Sequence, residues 1–322
     1  MNFESVEKIA AAILYEGYIL YPYRPTAVKN RQRWNFGTLY PQFYAEAQRP
    51  VEPFWFVAEG LALTHAETTF DVKIRALQLT RAVPATSTTD GLVDPSLAWD
   101  EAVERTWVHA GLRWKDLIAR PFVLELMSED GEGLELMSEE GEGLRGVLRV
   151  SAEQLDRGVC RLRVEVANTS AIIDGAERRD ALLQSFVSAH VLLGIHGGEF
   201  VSLLEPEKRF GELAAGCRNV GVFPVLVGAE PERSMMLCAP IILYDYPRIA
   251  PESEGDFFDG TEMDEMLTLR VLTLTDEEKQ EMRNGDERAR RILERTESLT
   301  EEAMLKAHGV VRGLREIREE GQ

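Results

Sequence analysis

Cysteine and histidine are scarce in this chain of 322 residues, which has three cysteines (Cys160, Cys217 and Cys238) and five histidines. No CxxC or CxxH pair occurs, so the usual spacing of a structural zinc site is missing. Three widely spaced thiols make no disulfide framework and suit a reducing, cytoplasmic compartment. His190 and His196 stand six apart, on different faces of a helix, and no HExxH or HxxxH pair exists. Nucleotide and nucleophile signatures are lacking as well. Gly194-Ile195-His196-Gly197-Gly198 is glycine-rich but is neither GxGxxG nor a Walker sequence, and there is no GxSxG. No run approaches 18 consecutive apolar residues, so no membrane-crossing helix is expected. The first residues carry acids and no basic stretch, unlike a secretory signal. Bases are outnumbered, 36 against 55 acids, for a formal charge of −19. That balance repels phosphates, so nucleic acid is not expected as a partner, and it favours a basic protein partner instead.

Against this background one stretch stands out. Six aromatic and four basic residues fall between Tyr15 and Phe36, and after Glu16 no acid appears until Glu46. Arg24, Lys29, Arg31 and Arg33 are candidates to bind an anion or an acidic protein surface, with Trp34 and the tyrosines offering stacking faces. The structural alternative is that the aromatics fill core and the bases balance the protein's own acids. A counterpart lies at 252–265, where seven acids occur without a base. Carboxylates at that density are candidates for a hard cation such as Mg²⁺ or Ca²⁺, with Asp245, Asp256, Asp259 and Glu262 as ligands. They are equally candidates for a docking face or a solvated loop. No other cofactor is expected.

Periodicity predicts an α+β protein. A helix is expected over 3–16, where Val6, Ile9, Ile13 and Leu14 recur at helical spacing, with Gly17 placed to end it. Strands are expected at 54–58 and 69–79, the second with a bulge near Ala76. Residues 99–121 fit either a helix or a strand. Further strands are expected at 145–150, 159–167, 200–204, 222–227, 235–244 and 267–274. A helix is expected over 178–193. The whole reads as one globular body, 1–274, of mostly antiparallel strands with packed helices, followed by a helical C-terminal arm, 275–322, opened by the capping box Thr275-Asp276-Glu277-Glu278.

One internal repeat is present. Leu124-Glu-Leu-Met-Ser-Glu-Asp-Gly-Glu-Gly133 is followed at once by Leu134-Glu-Leu-Met-Ser-Glu-Glu-Gly-Glu-Gly143, matching at nine of ten positions. Two copies are too few for a solenoid. A tandem duplication inside an acidic hairpin or loop is the simplest reading.

Four segments together resemble a known family: LYEGYILYPYRPTAVKNRQRWNFGTLYP (14–41), GGEFVSLLEP (197–206), CRNVGVFPVLVG (217–228) and APIILYDYPRIAPESEGDFFDGTEMDEMLTLRVLTLTDEEK (239–279). They are similar to uncharacterised proteins encoded beside uptake [NiFe]-hydrogenases. The resemblance implies a cytoplasmic accessory role in assembly, maturation or scaffolding, with a hydrogenase subunit or maturation factor as protein partner, and it assigns no catalytic residue. The competing readings are a metal-dependent hydrolase acting on an anionic substrate, using carboxylates of 245–265 with Arg31 or Arg33, and a structural homo-oligomer.

Overall fold

A strand of 28 residues, β1 (Trp55–Ala82), carries the fold. In this computed structural model the residues described are 3–19, 37–82, 99–128, 143–248 and isolated positions between 279 and 297. The chain packs as two compact units, 1–17 with 32–248 and 18–31 with 249–322, and all the described strands lie in the first.

The first half of β1 pairs with β5 (Val159–Asn168) on one edge, from Trp55↔Ala167 to Leu63↔Val159. Its second half pairs on that edge with β2 (Trp99–Arg113). The other edge is held by β6 (Val187–Val201) from Leu61 to Leu77, with a break between Thr64 and Thr69. Beyond these lie β3 (Phe122–Met127) and β4 (Arg145–Asp156) on one side. On the other lie β8 (Met235–Ala239) and β7 (Phe223–Leu226). The result is one antiparallel eight-stranded sheet in the order β3-β4-β5-β1-β6-β8-β7, with β2 branching from β1. The sheet curls, so that its edges β2 and β3 meet through side chains. Trp107 Nε1 donates to the Met127 carbonyl at 2.9 Å, and the His109 ring lies 4.2 Å from Phe122.

Alternation sorts the side chains between the two faces. Phe70, Val72, Ile74 and Ala76 of β1 meet Ala189, Val191, Leu193 and Ile195 of β6 and Cys160, Leu162, Val164 and Val166 of β5 in the inner core. On the outer face α1 (Glu4–Ile19), with Phe3 just ahead of it, sets Val6, Ala10 and Ile13 against Leu192, Val225, Val227 and Leu237. The other α-helices described within 37–248 are short: α2 (Gln42–Ala47), α3 (Trp114–Ala119), α4 (Arg178–Leu183) and α5 (Gly211–Ala215).

The α+β body with packed helices is therefore corrected to a mostly antiparallel sheet with few, short helices. The expected helical C-terminal arm falls almost wholly outside the described residues. The helix expected over 178–193 is also corrected. Only Arg178–Leu183 is helical, and β6 begins at Val187. Because α1 covers the outer face while the core takes the inner one, every residue from Val187 to Ile195 is buried, and a strand buried on both faces shows no period of two. Residues 99–121 resolve into β2 and then α3. Gly17 does not end α1, which continues to Ile19. The expected slip near Ala76 is present, between Arg75 and Leu77, but the extra residue sits in β6, where Ser188 adopts φ +54°. The repeat is in a hairpin: β3 and β4 are antiparallel neighbours and it spans their connection, of which 129–142 lie outside the described residues.

Candidate functional site

Of the residues that the sequence singles out, Arg24, Lys29, Arg31, Arg33 and Trp34 lie outside the described residues, as do Asp256, Asp259 and Glu262. Asp245 is described. One of its oxygens accepts the Ser202 hydroxyl hydrogen at 2.5 Å and the other the Leu226 N–H at 2.7 Å. It clamps the chain after β8 to the ends of β6 and β7. Among the described residues no group of three His, Cys, Asp or Glu is placed to hold a metal ion. The thiols are poor nucleophiles, since burial pushes Cys160 up to about 12 and also raises Cys238 and Cys217.

The polar arrangement with most chemical definition is at a break in β1, and sequence reasoning missed it. Between Thr64 and Thr69 the strand leaves the β6 ladder, three residues longer there than its partner. The loop so formed is held from inside. Thr68 Oγ1 accepts the His65 N–H at 2.8 Å and donates to the Gly197 carbonyl, while Trp114 Nε1 donates to the His65 carbonyl at 2.7 Å. Gly197 adopts φ +64°, and a Cβ on Gly198 would overlap the Leu63 carbonyl oxygen. Two residues further on, β2 carries one residue too many opposite Asp71, at Gly111 with φ +75°. The amide freed by this bulge donates to Asp71 Oδ1 at 2.8 Å, and the His196 Nε2 of β6 lies 2.9 Å from Asp71 Oδ2. Asp71 thus ties three strands together.

Burial raises the Asp71 pKa, but the hydrogen bonds it accepts, His196 and Gly111 among the donors, outweigh this and hold it below the usual aspartate value. An ionised carboxylate only accepts, so Nε2 of His196 carries the hydrogen and Nδ1 of the neutral ring is the acceptor. His196 is 47% exposed. A cleft of about 840 Å³ opens beside the same break, lined by His65, Trp114, Arg157, Arg209 and Phe210 among others. The available signal in the sequence was Gly197-Gly198, which marks the close approach of β6 to β1.

Two charge clusters brace the outer face. Glu59 accepts from Arg163 and from the Arg218 N–H, each at 2.7 Å, and Arg163 also reaches Glu165. Glu7 of α1 bonds Lys73 and Arg75 of β1, and Arg75 continues to Glu104 of β2 at 3.0 Å. His190 lies fully buried beside Arg75 in the β6 ladder, with Nδ1 2.9 Å from the Ser188 carbonyl.

After β8 the chain stays extended enough to alternate. Ile241 and Leu243 pack against the cluster under α1, whereas Ile242 and Tyr244 point outward, 77% and 87% exposed. Single exposed apolar residues are ordinary, but here two large ones lie on the same side of one segment. Among the described residues no helix is long and apolar enough to cross a membrane. No protein-family model matches the chain, and no curated protein is significantly similar to it.

Proposed function

We propose that this chain is a non-catalytic accessory protein that acts by binding a protein partner, with the segment after β8 as a contact surface. The observation that carries the reading is the outward pair Ile242 and Tyr244, set on a backbone fixed by Asp245 behind it. A rigidly backed aromatic next to an aliphatic is the composition that carries interface energy. The basic residues Arg24, Lys29, Arg31 and Arg33, with Trp34, are a second proposed contact. The resemblance of 239–279, which contains Ile242 and Tyr244, supports hydrogenase assembly or maturation as the setting and the cytoplasm as the place. A hydrolase built on 245–265 gains no support from Asp245, whose two oxygens are engaged inside the protein.

Affinity capture from lysate of the native host tests this. The wild-type chain should recover a hydrogenase subunit or maturation factor, and the double variant Ile242→Ser, Tyr244→Ser should lose it while its melting temperature moves by less than about 2 °C. Recovery of this chain alone, with light scattering showing salt-sensitive assembly, would replace the reading with a homo-oligomer.

A further inference from the structure

The cleft beside the break in β1 is walled by elements far apart in sequence. They are the break itself, the turn from β4 to β5 at Arg157 and Gly158, Trp114 at the start of α3, and the short 3-10 helix Lys208–Phe210 ahead of α5. Two bonds tie these walls together. The Thr64 N–H donates to the Gly158 carbonyl at 2.9 Å, and the Trp114 indole holds the His65 carbonyl. The cleft is thus preformed, and its volume of about 840 Å³ is that of a small-molecule site.

Its free polar groups are donors. Arg157 is exposed, and its guanidinium makes no hydrogen bond or ion pair among the described residues. Arg209 donates through Nε to Glu207 at 3.1 Å, and its guanidinium carbon lies 4.4 Å from the centre of the Phe210 ring. The terminal nitrogens of Arg209 make no hydrogen bond among the described residues. Asp156, the carboxylate on the lining, has Oδ1 on the Arg157 N–H at 2.6 Å. Thr64 lines the cleft as well. It is 4% exposed, and its buried hydroxyl has no hydrogen-bond partner among the described residues. Buried hydroxyls are rarely left so, because the lost water is not replaced. The rest of the lining includes apolar Leu63, Leu213, Trp114 and Phe210.

We propose that this cleft binds a small organic acid, one carboxylate on an apolar body. The carboxylate takes the free donors of Arg157 and Arg209, whose planar forks match its two oxygens. The apolar body lies along Leu63, Trp114 and Leu213, and the Thr64 hydroxyl donates to an oxygen of the ligand. A single charge suits the site better than a polyphosphate. Asp156 and Glu207 stand beside the two guanidiniums, and the chain carries a formal charge of −19.

Titration calorimetry of the full-length chain with naphthoate tests it. Naphthylmethanol keeps the apolar body without the charge, and inorganic phosphate keeps a charge without the body. Naphthoate should bind at one site, at least about tenfold tighter than either. The double variant Arg157→Gln, Arg209→Gln should weaken naphthoate at least about tenfold and leave naphthylmethanol as it was. Thr64→Val separates a ligand-facing hydroxyl from a structural one. Having no partner to lose, this variant should melt no lower than the wild type, yet bind naphthoate about threefold more weakly. Equal affinity for naphthoate and naphthylmethanol would reduce the cleft to an apolar groove. Phosphate binding as tightly as naphthoate would reduce it to a simple anion site. Either result overturns the proposal, as does an absence of heat with naphthoate, or naphthoate affinity unchanged in the arginine double variant. Full affinity in Thr64→Val would overturn the part given to the hydroxyl.

Discussion

Asp71 holds more of the structure than its place in an alternating strand suggests. Its carboxylate answers an amide that the β2 bulge leaves without a ladder partner and at the same time orients His196. Asp71→Ala strips the Gly111 amide and His196 of their acceptor in a buried setting, and a loss of about 2–4 kcal/mol in urea denaturation is expected. The pH sense follows from the depressed pKa. The contribution is complete above the ordinary aspartate value and is lost as pH falls through the lower folded value, so the variant should have a shallower acid limb. His190 gives a second test with a different window. Burial pushes it down to about 4, against about 6.5 in the unfolded chain. Between these values the unfolded chain binds the proton and the folded chain does not, so stability falls as pH drops from about 6.5 to about 4 and is flat below. His190→Leu should flatten that window by up to about 3 kcal/mol at its acid end. An unchanged slope in urea midpoints would assign the window to other groups.

At the scale of elements, the break at Thr64–Thr69 is a fixed feature, since β6 comes close enough there to exclude any side chain at Gly198. Gly198→Ala must displace the Leu63 backbone, and calorimetry should show a loss of about 3 kcal/mol or more, with His65 and Trp114 shifted together. Elements with one buried face were legible in the sequence. The alternation of Leu162, Val164 and Val166 with Arg161, Arg163 and Glu165 marked β5, and Val6, Ile9 and Ile13 marked α1. β6 was not legible, because burial of both faces erases the period on which such reading depends. Nor was the Asp71–His196 pair, since its members are far apart in sequence and meet only through the pairing of β1 with β6. Asp245 stood out in the sequence only as one of a dense set of carboxylates, a candidate cation ligand, and its two oxygens are used within the fold.

At the scale of the whole molecule, the middle of β1 is paired on both edges, at 61–63 with β5 and β6 and at 69–77 with β2 and β6. No segment of its middle can open without releasing a neighbour, so its amides should exchange by global unfolding. Hydrogen exchange followed by mass spectrometry should find the slowest amides at 56–62 and 70–76. Faster exchange there than in β3 or β7 would show that the sheet opens in parts. The charge of −19 belongs to this scale too: it keeps the outer surface soluble while the inner core is almost wholly aliphatic and aromatic.

The length of β1 has a consequence for biosynthesis. Its last residue leaves the ribosome well before β6 is complete at Val201. At ordinary translation speed the interval is roughly ten seconds. During it the second half of the strand finds β2, while the first half, with Phe56, Ala58, Leu61 and Ala62, waits for both of its neighbours. Sheets of this high contact order nucleate late. A nascent chain arrested between residues 120 and 150 would therefore carry an apolar strand with no fold to bury it, the state in which a trigger-type chaperone has most to bind.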